Sequence, residues 1–264
     1  MSKQYAIRVT DNASFLLAPN PGPMSLDGTN SWILRAPGSE HALIVDPGPL
    51  DASHLAALAA ESVELILITH RHGDHTEGID TLHRLTGAPV RAALPEHCRD
   101  APVLEDGEQI EAAGLRLLAI ATPGHTSDSF SFLLPEDGAQ GSMLTGDTIL
   151  GRGTTILDAP DGTLADYLAT LDVLESSPDA LVLPAHGPTL PSLHTIVRHY
   201  RAHRHERLDQ IRAALAQLRA ASTADPTIGQ VTDAVYADVD PAVRGAAETS
   251  VMAQLRYLKE FEGV

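Results

Sequence analysis

Residues 69–75 read Thr69-His70-Arg71-His72-Gly73-Asp74-His75 and follow directly on the apolar run Leu65 to Ile68. Three imidazoles and a carboxylate thus crowd a loop that leaves a buried strand. Residues two apart in extended backbone point the same way, so His70 and His72 can converge on one ion. Gly73 allows the turn that brings Asp74 and His75 round from another side. Neutral imidazole binds zinc at about 2.0 to 2.1 Å, and a catalytic zinc takes three protein ligands and leaves a position open for water. A His-x-His pair alone would read as a solvated loop. The added Asp74 and His75 turn the reading to a metal site.

Outward from this loop, three further segments each place one potential ligand straight after a strand candidate. They are Thr122-Pro123-Gly124-His125-Thr126, Leu144-Thr145-Gly146-Asp147 and Leu183-Pro184-Ala185-His186-Gly187. An α/β sheet delivers functional side chains from strand ends to a single edge. Four strand ends that all present His or Asp are hard to explain as turn chemistry.

The surrounding pattern is mixed α/β. Ala42 to Asp46 and Leu65 to Ile68 are short apolar runs suited to strands buried on both faces. Between and after them, Asp51 to Glu61 carries Leu55, Leu58 and Ala59 at helical spacing, and Gly78 to Leu85 puts Ile79, Leu82 and Leu85 on one stripe. Gly114 to Ala121, Phe130 to Leu134, Ser142 to Thr145 and Leu181 to Leu183 add strands. The pattern changes near residue 195, after which no strand is predicted. Leu208, Ile211, Leu215 and Leu218 mark one amphipathic helix, and Thr227 with Gln230 is a capping box for a second. Asp240-Pro241 reads as the start of a third, with Val243, Ala247, Val251, Leu255 and Leu258 inward. The expected division is therefore a catalytic domain over residues 1–200 and a small helical domain over 201–264.

Composition narrows the function classes. A chain of 264 residues with 43% hydrophobic and 20% charged content is ordinary globular material, and no apolar run approaches the roughly 18 residues of a membrane helix. With 18 basic against 35 acidic residues, the net charge of -17 opposes attraction to phosphate backbones and anionic lipid. Residues 201–264 hold 8 Lys/Arg against 9 Asp/Glu, so the acidity sits on the first 200 residues. Cys98 is the sole cysteine, which excludes an internal disulfide and a cysteine zinc cage. The opening residues lack an apolar signal segment, so a cytoplasmic location is expected.

The ordered set HxHxDH, single His, single Asp and final His resembles the metallo-β-lactamase superfamily over about residues 5 to 195. That resemblance implies an αββα sandwich of two mixed sheets with helices outside. It implies that His70, His72 and His125 hold one metal, that Asp74, His75 and His186 hold a second, and that Asp147 bridges them. Asp46, in the turn Val45-Asp46-Pro47-Gly48, matches an early Asp that steadies the histidine loop. The implied cofactor is two Zn2+ per chain, with Mn2+ or Fe2+ as substitutes. Within the superfamily the chain is similar to the β-lactamase-like protein 2 group, through Pro19-Asn20-Pro21-Gly22-Pro23, Asp27-Gly28-Thr29-Asn30, the Gly151 to Thr155 loop, and His203-Arg204-His205-Glu206-Arg207 leading into a winged-helix-like domain. That domain's β-hairpin wing is expected to be absent or a stub, since the sequence stops at Glu262-Gly263-Val264.

The function this implies is a di-zinc hydrolase that uses a metal-bridging hydroxide to cleave a small acyl substrate: a thioester, lactone, ester or β-lactam. Asp74 would orient the nucleophile as well as bind metal, and no Gly-x-Ser-x-Gly elbow is present to supply a serine nucleophile. Two alternatives stay open: a metal-dependent endoribonuclease acting on single-stranded RNA, and a non-catalytic interaction protein with a structural metal. The charge disfavours nucleic acid as partner, no membrane partner is expected, and the chain is read as a monomer or homodimer.

Weaker signals are set aside. His199 and His203 stand four apart on a helix, but Tyr200 occupies the place where a zinc protease needs Glu, so both are read as surface residues. His54 reads as solvated or capping, Cys98 as an ordinary thiol, and Gly151 to Thr155 more readily as a turn than as a substrate cover. Ser127 and Ser129 read as strand-edge caps or as donors to a developing oxyanion, and Trp32 and Phe15 as core.

Overall fold

The structure, a computed structural model, describes residues 5–237 and 243–263. Two sheets form its centre. The first runs in the order β1 (Ile7–Arg8), β2 (Ala13–Leu17), β3 (Asn30–Leu34), β4 (Ala42–Val45), β5 (Val63–Leu67) and β6 (Val90–Arg91). Strands β1 to β4 pair antiparallel and β4 to β6 parallel. The second has the order β11 (Leu181–Pro184), β10 (Ser142–Gly146), β9 (Phe130–Leu134), β8 (Leu115–Ala121) and β7 (Gln109–Ala112), with only β10 and β11 parallel.

Period-two alternation makes the layers. In β4, Leu43 and Val45 join a central cluster with Leu67, Phe132, Leu144 and Leu183, whereas Ala42 and Ile44 join an outer one with Ile66, Leu55 and Leu82. That outer cluster lies beneath α1 (Ala52–Leu58) and α3 (Ile79–Thr86). On the other sheet, Leu133, Met143 and Val182 face away from the centre and meet α4 (Leu164–Ser176), α5 (Leu193–Ala221), α6 (Ile228–Val235) and α7 (Arg244–Glu262). Helix, sheet, sheet and helix thus stack as the αββα sandwich that the ligand order implied.

Several elements differ from the sequence reading. Strands β2 and β3 carry no clean alternation and were not anticipated; helix α4 was not anticipated either, although its buried Leu164, Tyr167, Leu171 and Leu174 recur at helical spacing. Asp51 is an N-cap rather than a helical residue, accepting from the amides of Ser53 and His54. Leu85 is 54% exposed, since each three-residue step falls about 60° short of a full turn and carries it away from buried Ile79 and Leu82.

The C-terminal helices α5 to α7 are present, and the capping box of Thr227 and Gln230 forms as expected. Among the described residues after 195 there is no strand, and this part of the chain is described by its helices alone. Asp240-Pro241 lies outside the described residues. Helix α5 runs unbroken through residues 200 and 201, and one apolar cluster contains Tyr167 and Leu171 of α4 together with Leu208, Ile211, Val251 and Leu258.

Candidate metal centre

The 69–75 loop leaves the C-terminal end of β5 and becomes α2 (Gly73–Thr76), with His72 as its extended N-cap. Gly73 therefore makes the turn as a helix start, without left-handed backbone. Asp74 and His75 occupy that helical turn, while His70 and His72 precede it in the strand-end loop. His125, Asp147 and His186 arrive from the turns after β8, β10 and β11, as the strand-end pattern predicts.

Two groups of side chains meet there. His72 Nδ1 lies 3.1 Å from both His70 Nε2 and His125 Nε2, and Asp147 Oδ2 stands 4.0 and 3.7 Å from those two Nε2 atoms. In the second group, His186 Nε2 is 3.3 Å from Asp74 Oδ2, and His75 Nε2 is 3.6 Å from the same oxygen. Asp147 Oδ1 completes that group at 3.3 Å from His186 Nε2 and 3.7 Å from His75 Nε2. The two oxygens of Asp147 are thereby divided between the groups.

Ligands about 2.0 to 2.1 Å from a tetrahedral zinc lie roughly 3.3 Å apart, close to these separations. Buried atoms reinforce the fit: His75 Nε2, His186 Nε2 and Asp147 Oδ1 have no hydrogen-bond partner. Orphaned buried polar atoms cost free energy unless something fills the space between them. All seven donors are nitrogen or oxygen, a set suited to a divalent ion.

The outer nitrogens fix the tautomers. Nδ1–H of His75 donates to Asp46 Oδ2 at 2.8 Å, that of His125 to Ile156 O at 2.6 Å, and that of His186 to Gly28 O at 3.1 Å. His70 Nδ1 donates to Thr69 Oγ1 at 3.0 Å, and Thr69 Oγ1 passes its own hydrogen to Asp46 Oδ2 at 2.7 Å. His72 has the opposite arrangement, its Nε2 donating to Asp158 Oδ2 at 3.2 Å so that Nδ1 faces inward. Each ring, once neutral, thus offers a lone pair to the centre. Asp46 also accepts from the Thr69 amide at 2.8 Å, so this one buried carboxylate holds both ends of the histidine loop.

Electrostatics separates the groups. Burial, reinforced by neighbouring imidazoles, lowers the pKa of His70 and His125 and keeps both neutral. Burial acts the same way on His186, but Asp147 and Asp74 outweigh it and hold its pKa up to about 11. His75 is also raised, Asp46 and Asp147 overcoming its burial. Asp147 is held well below the usual carboxylate range, because His186 and His75 outweigh its desolvation. The carboxylates demand a cation at this place, and a divalent ion would displace the imidazolium protons.

Sequence reading did not assign a role to Asp158, Asn20, Thr29 or Asn30. Asp158 follows the Gly-rich loop with no motif to mark it. Thr29 Oγ1 lies 3.5 Å from Asp74 Oδ2 and is itself held by Asn20 Nδ2 at 3.0 Å. Asn30 Nδ2 donates to the carbonyls of Pro184 and Gly187, both at 3.0 Å, pinning the His186 loop. The Asp27-Gly28-Thr29-Asn30 string was the available signal. Ser127 and Ser129 do not point to an oxyanion: Ser127 Oγ donates to Asp161 Oδ1 at 2.7 Å, and Ser129 Oγ pairs with Thr126 Oγ1 at 2.7 Å. His54, expected to be solvated, is fully buried against Ser31 Oγ at 2.8 Å. His199 is exposed as read, but His203 is half-buried.

A cavity of about 430 Å³ opens beside the centre, lined by His72 and His125 and walled by Met24, Ile156, Val243 and Ala246. Its walls therefore come from the N-terminal loop, the 151–158 loop and the start of α7.

Comparison with known proteins agrees with this geometry. Residues 24–186 match the Metallo-beta-lactamase superfamily. The chain is 32% identical to a Beta-lactamase-like protein 2 homolog of Caenorhabditis elegans, over 95% of this chain and 85% of that protein. It is 29% identical to an Atrochrysone carboxyl ACP thioesterase of Aspergillus chevalieri, over 94% of this chain and 80% of the other. The crystal structure of a metallo-beta-lactamase family protein from Thermus thermophilus superposes with a TM-score of 0.77 at 24% identity, covering 96% of this chain and 94% of that one.

The chain belongs to the metallo-beta-lactamase superfamily and is a hydrolase of it. Members of that superfamily typically bind metal ions, and the His/Asp cluster described above gives this chain the means to do so.

Proposed function

We propose that the chain is a di-zinc hydrolase of small acyl compounds, with thioesters and lactones as its principal substrates. In this reading His70, His72 and His125 hold one ion, Asp74, His75 and His186 the other, and Asp147 both. The observation that supports it most is the division of the Asp147 oxygens between two histidine groups whose inner nitrogens lie 3.3 to 4.0 Å from them. When bound, two divalent ions supply a water of pKa lowered toward about 7 and a positive field for the charge that develops on the carbonyl oxygen.

The chain's own residues do the rest. Asp74, whose side chain is 32% exposed, stays ionised because His186 and His75 outweigh its burial. Its carboxylate can accept a hydrogen bond from the attacking water and aim the oxygen at the carbonyl carbon. Attack breaks the carbon–sulfur or carbon–oxygen bond and releases acid and thiol or alcohol, with the water's protons ending on the leaving group and solvent. Met24, Ile156, Val243 and Ala246 offer an apolar seat for the acyl chain and exclude water from it. Residues 1–200 would then be the catalytic unit and residues 201–264 a wall of its groove. The thioesterase name of one relative supports the acyl class, as does a net charge unfavourable to a polyanionic substrate.

A panel of thioesters, lactones, β-lactams and single-stranded RNA, each run with and without chelator, tests this reading. Chelator-sensitive turnover of thioester or lactone that His72→Ala abolishes is the expected result. Greater chelator-sensitive cleavage of RNA would replace the acyl reading with a nuclease.

A further inference from the structure

Most arginines of this acidic chain face a carboxylate, but two neighbours one helical turn apart do not. Arg204 and Arg207 of α5 form no ion pair among the described residues, and both line a second cavity of about 200 Å³. That cavity lies between the 154–156 loop, α5 and the start of α7, and Tyr236 and Ser250 add hydroxyls to it. No Asp or Glu is among its described lining residues. A hollow whose described lining holds two arginines and no carboxylate is unexpected in a chain of net charge -17.

The donors there are underused. Arg204 is 2% exposed, stacks 4.8 Å from the centre of the Tyr167 ring and donates Nη2–H to Thr155 O at 2.6 Å. Its buried Nε has no partner. Arg207 lies over the Tyr236 ring at 4.9 Å and donates Nη1–H to Gln210 Oε1 at 2.7 Å. Its Nε–H contacts His203 Nε2 at 3.4 Å, which places the proton of a neutral His203 on Nδ1, a buried atom that also lacks a partner. Guanidinium groups with free donors in a partly enclosed site match the fork geometry of phosphate and carboxylate.

This hollow adjoins the cavity beside the metal centre. Ile156, Val243 and Ala246 line both, so they form the boundary between the two. We propose that the hollow at Arg204 and Arg207 is an anion subsite that holds a phosphate or carboxylate carried by the acyl substrate away from its scissile bond. The proposal rests on the acyl-hydrolase reading for its substrate class, and on the hollow's own residues for its chemistry. Binding energy from such a remote group raises kcat/KM for substrates that carry it.

The test uses the full-length, metal-loaded protein and three thioesters with the same acyl group. One is on N-acetylcysteamine, which is neutral; one is on 4'-phosphopantetheine; and one is on glutathione, which carries carboxylates. The wild type is expected to prefer one of the anionic pair over the neutral thioester, and which one identifies phosphate or carboxylate. Arg207→Gln should lower that preference ratio by about tenfold, as loss of a charge-assisted hydrogen bond does, while Arg207→Lys keeps most of it. Metal content and circular dichroism verify that each variant folds. Equal kcat/KM for all three thioesters in the wild type, or a ratio that Arg207→Gln leaves unchanged, overturns the subsite. Calorimetric binding of free 4'-phosphopantetheine and glutathione separates this from the acyl reading. Binding of either that weakens about tenfold in Arg207→Gln, with no thioester turned over, keeps the subsite and removes the acyl reading. Turnover without Arg207-dependent binding does the reverse.

Discussion

Asp147 stands between the two halves of the candidate centre, since each of its oxygens faces a different pair of histidines. Asp147→Ala is expected to reduce bound metal from two equivalents to one or fewer, and to lower kcat/KM by about a hundredfold or more. Elemental analysis and turnover of the same preparation measure both. A variant that kept two equivalents and full activity would remove the bridging assignment. His54 carries a different consequence. It is buried without a partner for Nδ1, and burial depresses its pKa to about 4 despite the nearby Asp51 carboxylate. The unfolded imidazole titrates near 6.5, so between pH 6.5 and 4 the unfolded chain binds the proton and the folded chain does not. Stability from this group is complete above pH 6.5 and is lost as pH falls toward 4, by about 3 kcal/mol in all. His54→Gln should flatten that part of the stability profile in denaturant titrations. An unchanged pH slope would show that His54 is not the group responsible.

Among the elements, the turn before His125 is tightly constrained. Gly124 has φ +139°, and an added Cβ would stand 2.5 Å from Tyr167 Cα at the first turn of α4. Neither backbone can yield without moving His125 or the helix. Gly124→Ala is therefore expected to cost about 3 kcal/mol and to weaken metal retention. Gly153 also has positive φ, +72°, but a Cβ there meets nothing within 4 Å. Gly153→Ala should cost only about 1 to 2 kcal/mol, and chemical denaturation of the two variants compares them. Similar losses in both would place the cost in φ alone and not in contact with α4. Within the Gly-rich loop itself, Arg152 makes a paired contact with Asp27 at 2.8 and 3.0 Å. That contact ties the 151–155 loop to the N-terminal loop at the exposed surface.

Across the whole molecule, the arginines of α5 decide what the C-terminal helices can contact. Read along the helix, Arg201, Arg204, Arg207, Arg212 and Arg219 make a weak basic stripe. In the fold, Arg201 pairs with Asp172 and Glu175, Arg212 with Asp209 and Glu262, and Arg219 with Asp225. Arg204 is buried and Arg207 lies at a cavity, so among the described residues α5 leaves no continuous cationic face to track a phosphate backbone. The full-length protein is expected to show negligible affinity for single-stranded RNA at physiological salt by fluorescence anisotropy. Tight binding that falls steeply with added salt would contradict this. No helix among the described residues is long and apolar enough to cross a membrane.

The sequence alone marked the candidate ligands and their order, because a metal site needs particular donor atoms and those residue types are visible wherever they stand. Asp46 was legible for the same reason, in a strand-end turn that matched a known pattern. The buried strands β4 and β5 were legible as unbroken apolar runs, and the amphipathic faces of α5 and α7 through periodicity, both of which burial imposes on the chain locally. Strands β2 and β3 were not, since their residues satisfy neighbours distant in sequence, whereas helix α4 carries an apolar repeat of its own that went unread. Asn30 is one such residue, its side chain bonded to Pro184 and Gly187 more than 150 positions away. Only the tertiary structure decided which imidazole nitrogen faces inward, because that depends on acceptors such as Ile156 O, Gly28 O and Asp158, which lie far along the chain. It likewise decided that, among the described residues, two arginines of one helix face no carboxylate while their neighbours do. Charge pairing depends on which surfaces meet in space, and sequence spacing along a single helix does not contain that information.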